Sequence, residues 1–438
     1  MPDLAPASIE SARKRVVLFV FVTAFLDLIG FGIILPLLPF YVDKMGGSAE
    51  TVGFIFMCFS LTQLAATPLL GRLSDRFGRR VVILLSLAGN AAAMIGFALA
   101  TKLLLLPLLF ASRIFAGATS GNLAACQAAI SDVTNEQNRA EAMGRLGAGI
   151  NLGLILGPLL GSTLAEVGPW APPLGAGALA LVDLASAFFL MPETRRPTSS
   201  VETSVERSSG EALAYSAGTS VAPPPPIPSD DRRHQGPPSA NGSSKRSDWG
   251  VLANRAVIAV LIAHFLSFLC ITNMQVALGL LAKRELDWGT REVGALFSMF
   301  ALLSFCVQAF LIGRLVRRFG EATLVTVGST MMAAGLLLIG EGHIAATFFA
   351  GVALFGAGFG TTLPPLASLA SRAATEGTRG FVLGMTQSSG GLARAVGPVL
   401  SGVLFRRIAP SAPFVGGAAA ALLCAVVGAT LRETGRRS

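Results

Sequence analysis

An aspartate stands near the middle of the first long apolar run of this chain. Asp27 has Phe25, Leu26, Leu28 and Ile29 as its neighbours. A carboxyl group in lipid-like surroundings is costly and marks a functional position by default. Burial favours its neutral form and a nearby cation its charged form, so a group pulled both ways can change proton occupancy. Arg113 lies inside a later apolar run. If both runs are helices centred in a bilayer, Asp27 sits slightly inward of the midplane and Arg113 slightly outward. Their depths then differ by roughly 9 Å. A long arginine covers much of that, directly or through water, so Arg113 could tune Asp27 and close a proton relay. The alternatives are an Asp27 that stays neutral and bonds to backbone, and an Arg113 that only bonds helix ends in its own bundle.

The elements that must position these two residues are membrane helices. Of the 438 residues, 52% are hydrophobic and only 13% charged, and the mean hydropathy is +0.64. A soluble domain is about a quarter charged. The apolar excess falls into about twelve runs of bilayer-spanning length. They lie near 16–42, 52–70, 81–100, 103–130, 142–165 and 170–192, then near 254–282, 291–312, 321–340, 343–371, 380–405 and 412–431. The first run is too long for a signal-peptide core and has no clear cleavage site, so it is read as a span. Residues 1–15 form a polar tail, 16–192 and 251–431 two six-helix halves, and 432–438 a second tail. Residues 193–250 are rich in Ser, Pro, Gly and charge, which predicts a disordered linker.

The net charge of +9 comes from Lys and Arg in short loops, which fits the positive-inside bias better than nucleic-acid binding. That bias puts both termini, the linker and the loops with Arg72, Arg76, Arg79 and Arg80 in the cytoplasm; Lys283-Arg284, Arg291 and Arg406-Arg407 are exceptions. Cys58, Cys126, Cys270, Cys306 and Cys424 fall in apolar runs without a CxxC spacing and read as packing residues, not disulfides or metal ligands.

The stretch Gly71-Arg72-Leu73-Ser74-Asp75-Arg76-Phe77-Gly78-Arg79-Arg80 carries five ionisable residues between two uncharged runs. It predicts a hairpin in water between two spans. A weaker copy, Gly313-Arg314-Leu315-Val316-Arg317-Arg318-Phe319-Gly320, lies 242 positions later. The stretch Ser131 to Ser162 repeats at 240 positions: Glu136, Arg139, Gly144, Gly157 and Pro158 fall on Glu376, Arg379, Gly384, Gly397 and Pro398. Two such repeats predict two bundles with a site at their interface near mid-membrane. Asp75 could cap the next helix or face the positive end of a helix in the other half; the alternative is a solvated loop that serves topology only. Gly149, Gly153, Gly157 and Gly161 recur every fourth residue, which allows close helix approach, and Pro158 loosens the helix. They read as a hinge or sliding contact between halves, with ordinary packing as the alternative. Gly397, Pro398 and Gly402 are a partial counterpart.

These motifs resemble those of the major facilitator superfamily. The hairpin is similar to the loop motif of its drug–proton antiporters. The run from Leu26 to Pro39 (LDLIGFGIILPLLP) resembles the first-helix motif of the twelve-helix, tetracycline-efflux-type branch. Ser112-Arg113-Ile114-Phe115-Ala116-Gly117 resembles the fourth-helix arginine motif, and Gly149 to Gly161 the fifth-helix motif that marks antiporters. The resemblance implies an all-α membrane fold of two pseudo-symmetric six-helix bundles. It also implies a cytoplasmic latch of Gly71, Asp75, Arg76, Gly78, Arg79 and Asp132. In that latch Arg79 pairs with Asp132, and Asp75 meets the start of the eleventh helix near Gly380 to Leu383 when the protein is open outward. Gln63, Asn151, Asn273, Gln275, Gln308 and Gln387 lie in segments that line the cavity in this fold, where they could bond an amphipathic molecule or simply join helices.

The expected function is proton-coupled export of a hydrophobic or amphipathic drug-like compound. Uptake or exchange of a polar metabolite would want more polar cavity residues. No HExxH, GxxxxGK[ST] or usable Ser/His/Asp set is present, which argues against an enzyme. No cofactor or metal is implied. The expected partners are a small-molecule substrate, protons and the lipid bilayer, for a monomer in the inner (plasma) membrane. The acid of the ninth helix used by tetracycline exporters has no match, since Glu321 stands only at the start of that run. Arg394 is a second buried cation without an obvious partner. Asp183 could be structural or functional, and His264 reads as a packed histidine. Asn122 is nine residues from Arg113 and faces away from it by helical phase.

Overall fold

A computed structural model describes residues 6–134, 136–191, 254–374 and 378–437, with only the backbone given for 6–15, 136, 137, 139, 140, 190, 379, 380 and 433–437. The expected linker, 193–250, and Glu376 lie outside the described residues, as do the side chains of Glu136, Arg139 and Arg379.

The described chain forms twelve spans. The first six are α1 (Pro6–Ile34, continued by Leu38–Lys44), α2 (Ala49–Phe77), α3 (Arg79–Leu103), α4 (Leu106–Ala118 and Asn122–Val133), α5 (Glu136–Val167) and α6 (Ala171–Leu190). The second six are α7 (Arg255–Leu286), α8 (Thr290–Cys306, a π-helical Val307–Leu311, and Ile312–Phe319), α9 (Glu321–Gly340), α10 (Ala345–Ala373), α11 (Arg379–Arg407) and α12 (Ala412–Arg437). Ten are long and apolar enough to cross a membrane by that measure alone; α4 is interrupted and α11 is rich in Gly, Ser and Arg. The outer surface is apolar, with Leu18, Val182, Phe189 and Leu423 exposed, as lipid as solvent allows.

The charged hairpin is shorter than its composition predicts. α2 and α3 run into it from both sides until only Gly78 is left, at φ 102°. Gly320 does the same between α8 and α9 at φ 78°. A left-handed turn residue favours glycine because it lacks a Cβ, so the one-residue turn is a repeat in backbone as well as in sequence. The fourth span, read as one run, breaks at Thr119–Gly121. Thr119 packs into the notch left by Gly89 of α3.

Glycines bring helices to backbone contact. A Cβ on Gly157 would lie 2.7 Å from Gly32 Cα, and one on Gly153 would lie 2.7 Å from the Phe25 carbonyl. Gly149 and Gly161 likewise face Phe21 and Ile33. The stripe read as joining the two halves therefore lies against α1 of its own half. The next face of α5 reaches the other half: the Pro158 carbonyl and Ser162 crowd Gly294 of α8. The second close approach between halves is α2 on α11, where Gly53 meets Pro398 and Gly402 meets the Ala49 carbonyl.

Both approaches lie away from the Gly78 turn. At this far end Leu35 and Phe40 join the core of the second half, and Val276 of α7 joins that of the first. Lys283 Nζ is 2.6 Å from Asp43, and Glu50 accepts from Arg406 at 3.0 Å and Arg407 at 2.8 Å. The basic residues that stand out against the charge bias thus bind the halves together. Toward the Gly78 end the halves splay. Gly71, Gly144, Gly147 and Gly384 have no neighbour within 4 Å of an added Cβ, and Leu69 and Leu383 are exposed. The protein is closed at the far end and open at the hairpin end.

Gly157→Leu forces α1 and α5 apart. It is expected to destabilise the first half by about 1–3 kcal/mol, read as a lower unfolding midpoint in detergent. An unchanged midpoint would show that the two helices do not need this contact.

Candidate functional site

Asp27 is partly buried and belongs to a polar cluster inside the first half. Asn90 of α3 donates from Nδ2 to Asp27 Oδ1 at 3.2 Å. Asn122 of α4 also reaches the Asp27 carboxyl group, and the Cys126 thiol donates to Asn122 Oδ1 at 3.5 Å. One turn before Asp27, the Thr23 hydroxyl donates to Asp183 Oδ1 of α6 at 2.9 Å, and Ser186 donates to the same oxygen at 3.3 Å. Asp183 is 1% exposed and its Oδ2 has no partner among the described residues. Two carboxyl groups therefore sit one helical turn apart between α1, α3, α4 and α6. Asn90, Asn122 and Asp183 were not legible as a set, because they come from three helices and no spacing links them. Asn122 was set aside by measuring its phase against Arg113; the break in α4 makes Asp27 its relevant neighbour.

Arg113 does not touch Asp27. It is 6% exposed, its Nη2 lies 3.5 Å from Met94 Sδ, and its guanidinium carbon stands 4.6 Å above the centre of the Phe97 ring. An aromatic face stabilises a desolvated cation. Asn90, Met94 and Phe97 share one face of α3, so Asp27 and Arg113 are held by the same helix four to seven residues apart. That is roughly 6–10 Å.

The hairpin residues form a clamp within the first half. Arg79 bonds Asp75 at 2.6 Å and Asp132 at 3.0 Å. Asp75 remains largely exposed and Arg76 lies over the Phe77 ring at 5.3 Å. Leu383 of α11 is exposed rather than covered by Asp75, as an open hairpin end requires; the Gly380 side is outside the described side chains. The second half holds the same clamp with its charges exchanged. Glu321, at the position equivalent to Arg79, accepts from Ser368 at 2.5 Å and from Arg372 at 3.2 Å, and Arg372 is equivalent to Asp132. Either polarity ties a helix start to the end of the next helix.

The neutral polar residues divide. Asn273 is 1% exposed, beside Gly417 of α12, and so lies inside the second bundle rather than on the cleft. Asn151 donates to its own helix at the Gly147 carbonyl, 2.8 Å away. Gln308 sits in the π-helical turn of α8 and donates to Ser304 at 3.0 Å. Gln63 and Gln275 are half-buried and Gln387 is exposed on α11.

Two sets of six spans that meet at α2 with α11 and at α5 with α8 are the architecture of a carrier, and a family profile described as Major Facilitator Superfamily matches residues 20–274 and 260–438. The chain belongs to the Major Facilitator Superfamily. Over 422 residues it is 27% identical to bovine (Bos taurus) major facilitator superfamily domain-containing protein 10, covering 90% of this chain and 87% of that one. It is 28% identical over 396 residues to the Escherichia coli tetracycline resistance protein, class B, covering 89% and 88%. The crystal structure of the human organic anion transporter MFSD10 (TETRAN) matches with a TM-score of 0.64 at 25% identity, over 95% and 99% of the two chains. The nucleoside transporter NupG matches with a TM-score of 0.69 at 12% identity, over 95% and 98%, a likeness of fold alone. The protein is thus a multi-pass membrane transporter of this superfamily and not an enzyme, and the tetracycline-efflux-type resemblance read from its motifs holds.

The exchanged clamps give a direct test. Arg79→Glu and Asp132→Arg are each expected to lower the unfolding midpoint. Together they recreate the Glu321–Arg372 polarity and should recover about 1 kcal/mol of coupling in a double-mutant cycle. Additive losses would mean that the pair contributes nothing.

Proposed function

We propose that this transporter exchanges protons for a hydrophobic or amphipathic, drug-like small molecule and exports the latter by alternating access. The observation that carries this reading is Asp27, partly buried beside Asn90 and the Thr23–Asp183 pair in a bundle that borders a cleft closed at one end. A carboxyl group in that position gains or loses a proton according to which side the cleft faces. The positive-inside bias makes the hairpin end cytoplasmic, and the bacterial tetracycline resistance relatives favour the inner (plasma) membrane.

In the open-inward arrangement Asp27 releases its proton toward the cytoplasm and substrate enters between the halves. The clamp ends then close, the far-end pairs of Asp43 and Glu50 part, and Asp27 takes a proton from outside as substrate leaves. Arg113, held on the α3 face that also holds Asn90, supplies a fixed positive charge a turn or two further out and completes the relay with Asp27. Gln63, Gln275 and Gln387 offer adaptable bonds to a mixed polar and apolar substrate. The proton gradient is the energy source. Relatives described as tetracycline resistance proteins and an organic anion transporter support a small organic substrate.

Everted vesicles from an efflux-deficient host test the reading, with substrates first found by a growth-inhibition panel. Wild-type protein should release protons from acidified vesicles when a panel compound is added. Asp27→Asn should insert normally and lose that release. Unchanged release in the mutant would remove Asp27 from coupling. Resistance to no compound, together with metabolite uptake, would replace export by a metabolite carrier.

A further inference from the structure

Among the described residues, the second half contains a cation for which it supplies no acid. Arg394 stands at the centre of α11, on the strip that meets α2 at Gly391 and Pro398: a Cβ on Gly391 would lie 3.2 Å from Leu64 and 3.9 Å from Arg394 Nη2. Its guanidinium carbon lies 5.0 Å from the centre of the Phe268 ring. Among the described residues it has no ion pair and no hydrogen bond to a carboxylate. The acids of this half, among them Glu285, Asp287, Glu292, Glu321 and Glu341, stand at helix ends or in loops. Beside Arg394 is His264. It is 7% exposed, neither of its ring nitrogens has a partner, and Gly390 leaves room against its Nε2. Behind both is an aromatic wall in which Phe268, Phe359, Phe300 and Phe355 touch in series, with centroid separations of 6.2, 5.6 and 5.7 Å.

A half-buried guanidinium without an acid and a buried imidazole without a partner are each expensive in a membrane interior. Arg394 is partly exposed, on the strip of α11 that faces Leu64 of α2. Its planar fork matches a carboxylate or sulfonate, and the adjoining rings match an apolar body. We propose that Arg394 and His264 hold the acidic group of the transported compound, an aromatic carboxylic or sulfonic acid whose rings lie on Phe268 and Phe359. The missing countercharge of this half is then brought by the substrate. Transport of that acid rests on the export reading above; its binding does not.

The test is equilibrium binding of dansylglycine and of its neutral amide to the purified full chain. The acid is expected to bind about tenfold tighter or more, as a charge-assisted pair would give. Arg394→Gln should bring the acid down to the affinity of the amide and leave the amide unchanged, which also reports an intact fold. Arg394→Lys should keep part of the preference, and His264→Ala should weaken the acid alone. Asp27→Asn should leave the preference in place, so retained binding with lost proton release would separate this site from coupling. Equal binding of acid and amide, binding of neither, or an acid preference that survives Arg394→Gln would overturn the proposal. So would displacement by an equal concentration of inorganic phosphate, which would make the site one for any free anion.

Discussion

Lipid cannot solvate a charge, and the whole arrangement follows from how the protein copes with the few charges it keeps at membrane depth. Asp27, Asp183, Arg113 and Arg394 each lie within a span rather than in a loop. The first three are accommodated within one bundle. Thr23 and Ser186 bond Asp183, Asn90 and Asn122 reach Asp27, and Met94 and Phe97 receive Arg113. None of these is a simple ion pair. An ion pair would neutralise both partners and fix them, whereas amide, hydroxyl and ring partners satisfy these groups without a countercharge.

The two halves share a backbone plan and differ in chemistry. Gly78 and Gly320 make the same one-residue turn, and the Arg79–Asp132 clamp returns as Glu321–Arg372 with its polarity exchanged. A structural pair tolerates such an exchange because only the attraction matters. At mid-membrane the correspondence ends. Phe268 stands 241 positions after Asp27, between the two repeat shifts, and carries a cation over its face where the first half has an acid. The two bundles share a scaffold, and their interior residues differ in chemistry.

Much of this could be read from sequence, for reasons that differ by feature. The spans were legible because twenty apolar residues in a row have few alternatives, and the repeat because glycines and prolines recur at fixed shifts. The Arg79–Asp132 pair was reached through the motif resemblance, not through physics. The glycine stripe was legible as a close contact, but its partner was not: a flat helix face says that something approaches, and only the packing says that it is α1. The ten-residue hairpin was misjudged because charge marks where water begins, while the helix continues until Gly78 ends it. The Asp27 cluster escaped for the reason given by its residues, since a hydrogen bond between helices leaves no period in the chain.

The closed end explains why the exceptions to the charge bias are where they are. Lys283, Arg406 and Arg407 lie on the side that the bias would leave neutral, and each is matched by Asp43 or Glu50 of the other half. Exposed pairs of this kind contribute about 0–1 kcal/mol each, too little to lock the protein and enough to bias it. The stronger closure is steric, at Gly53 against Pro398 and Gly294 against Pro158, where backbone meets backbone and fits in one arrangement only. A carrier needs that combination: contacts exact enough to seal one side, and weak enough in sum that a bound substrate can undo them.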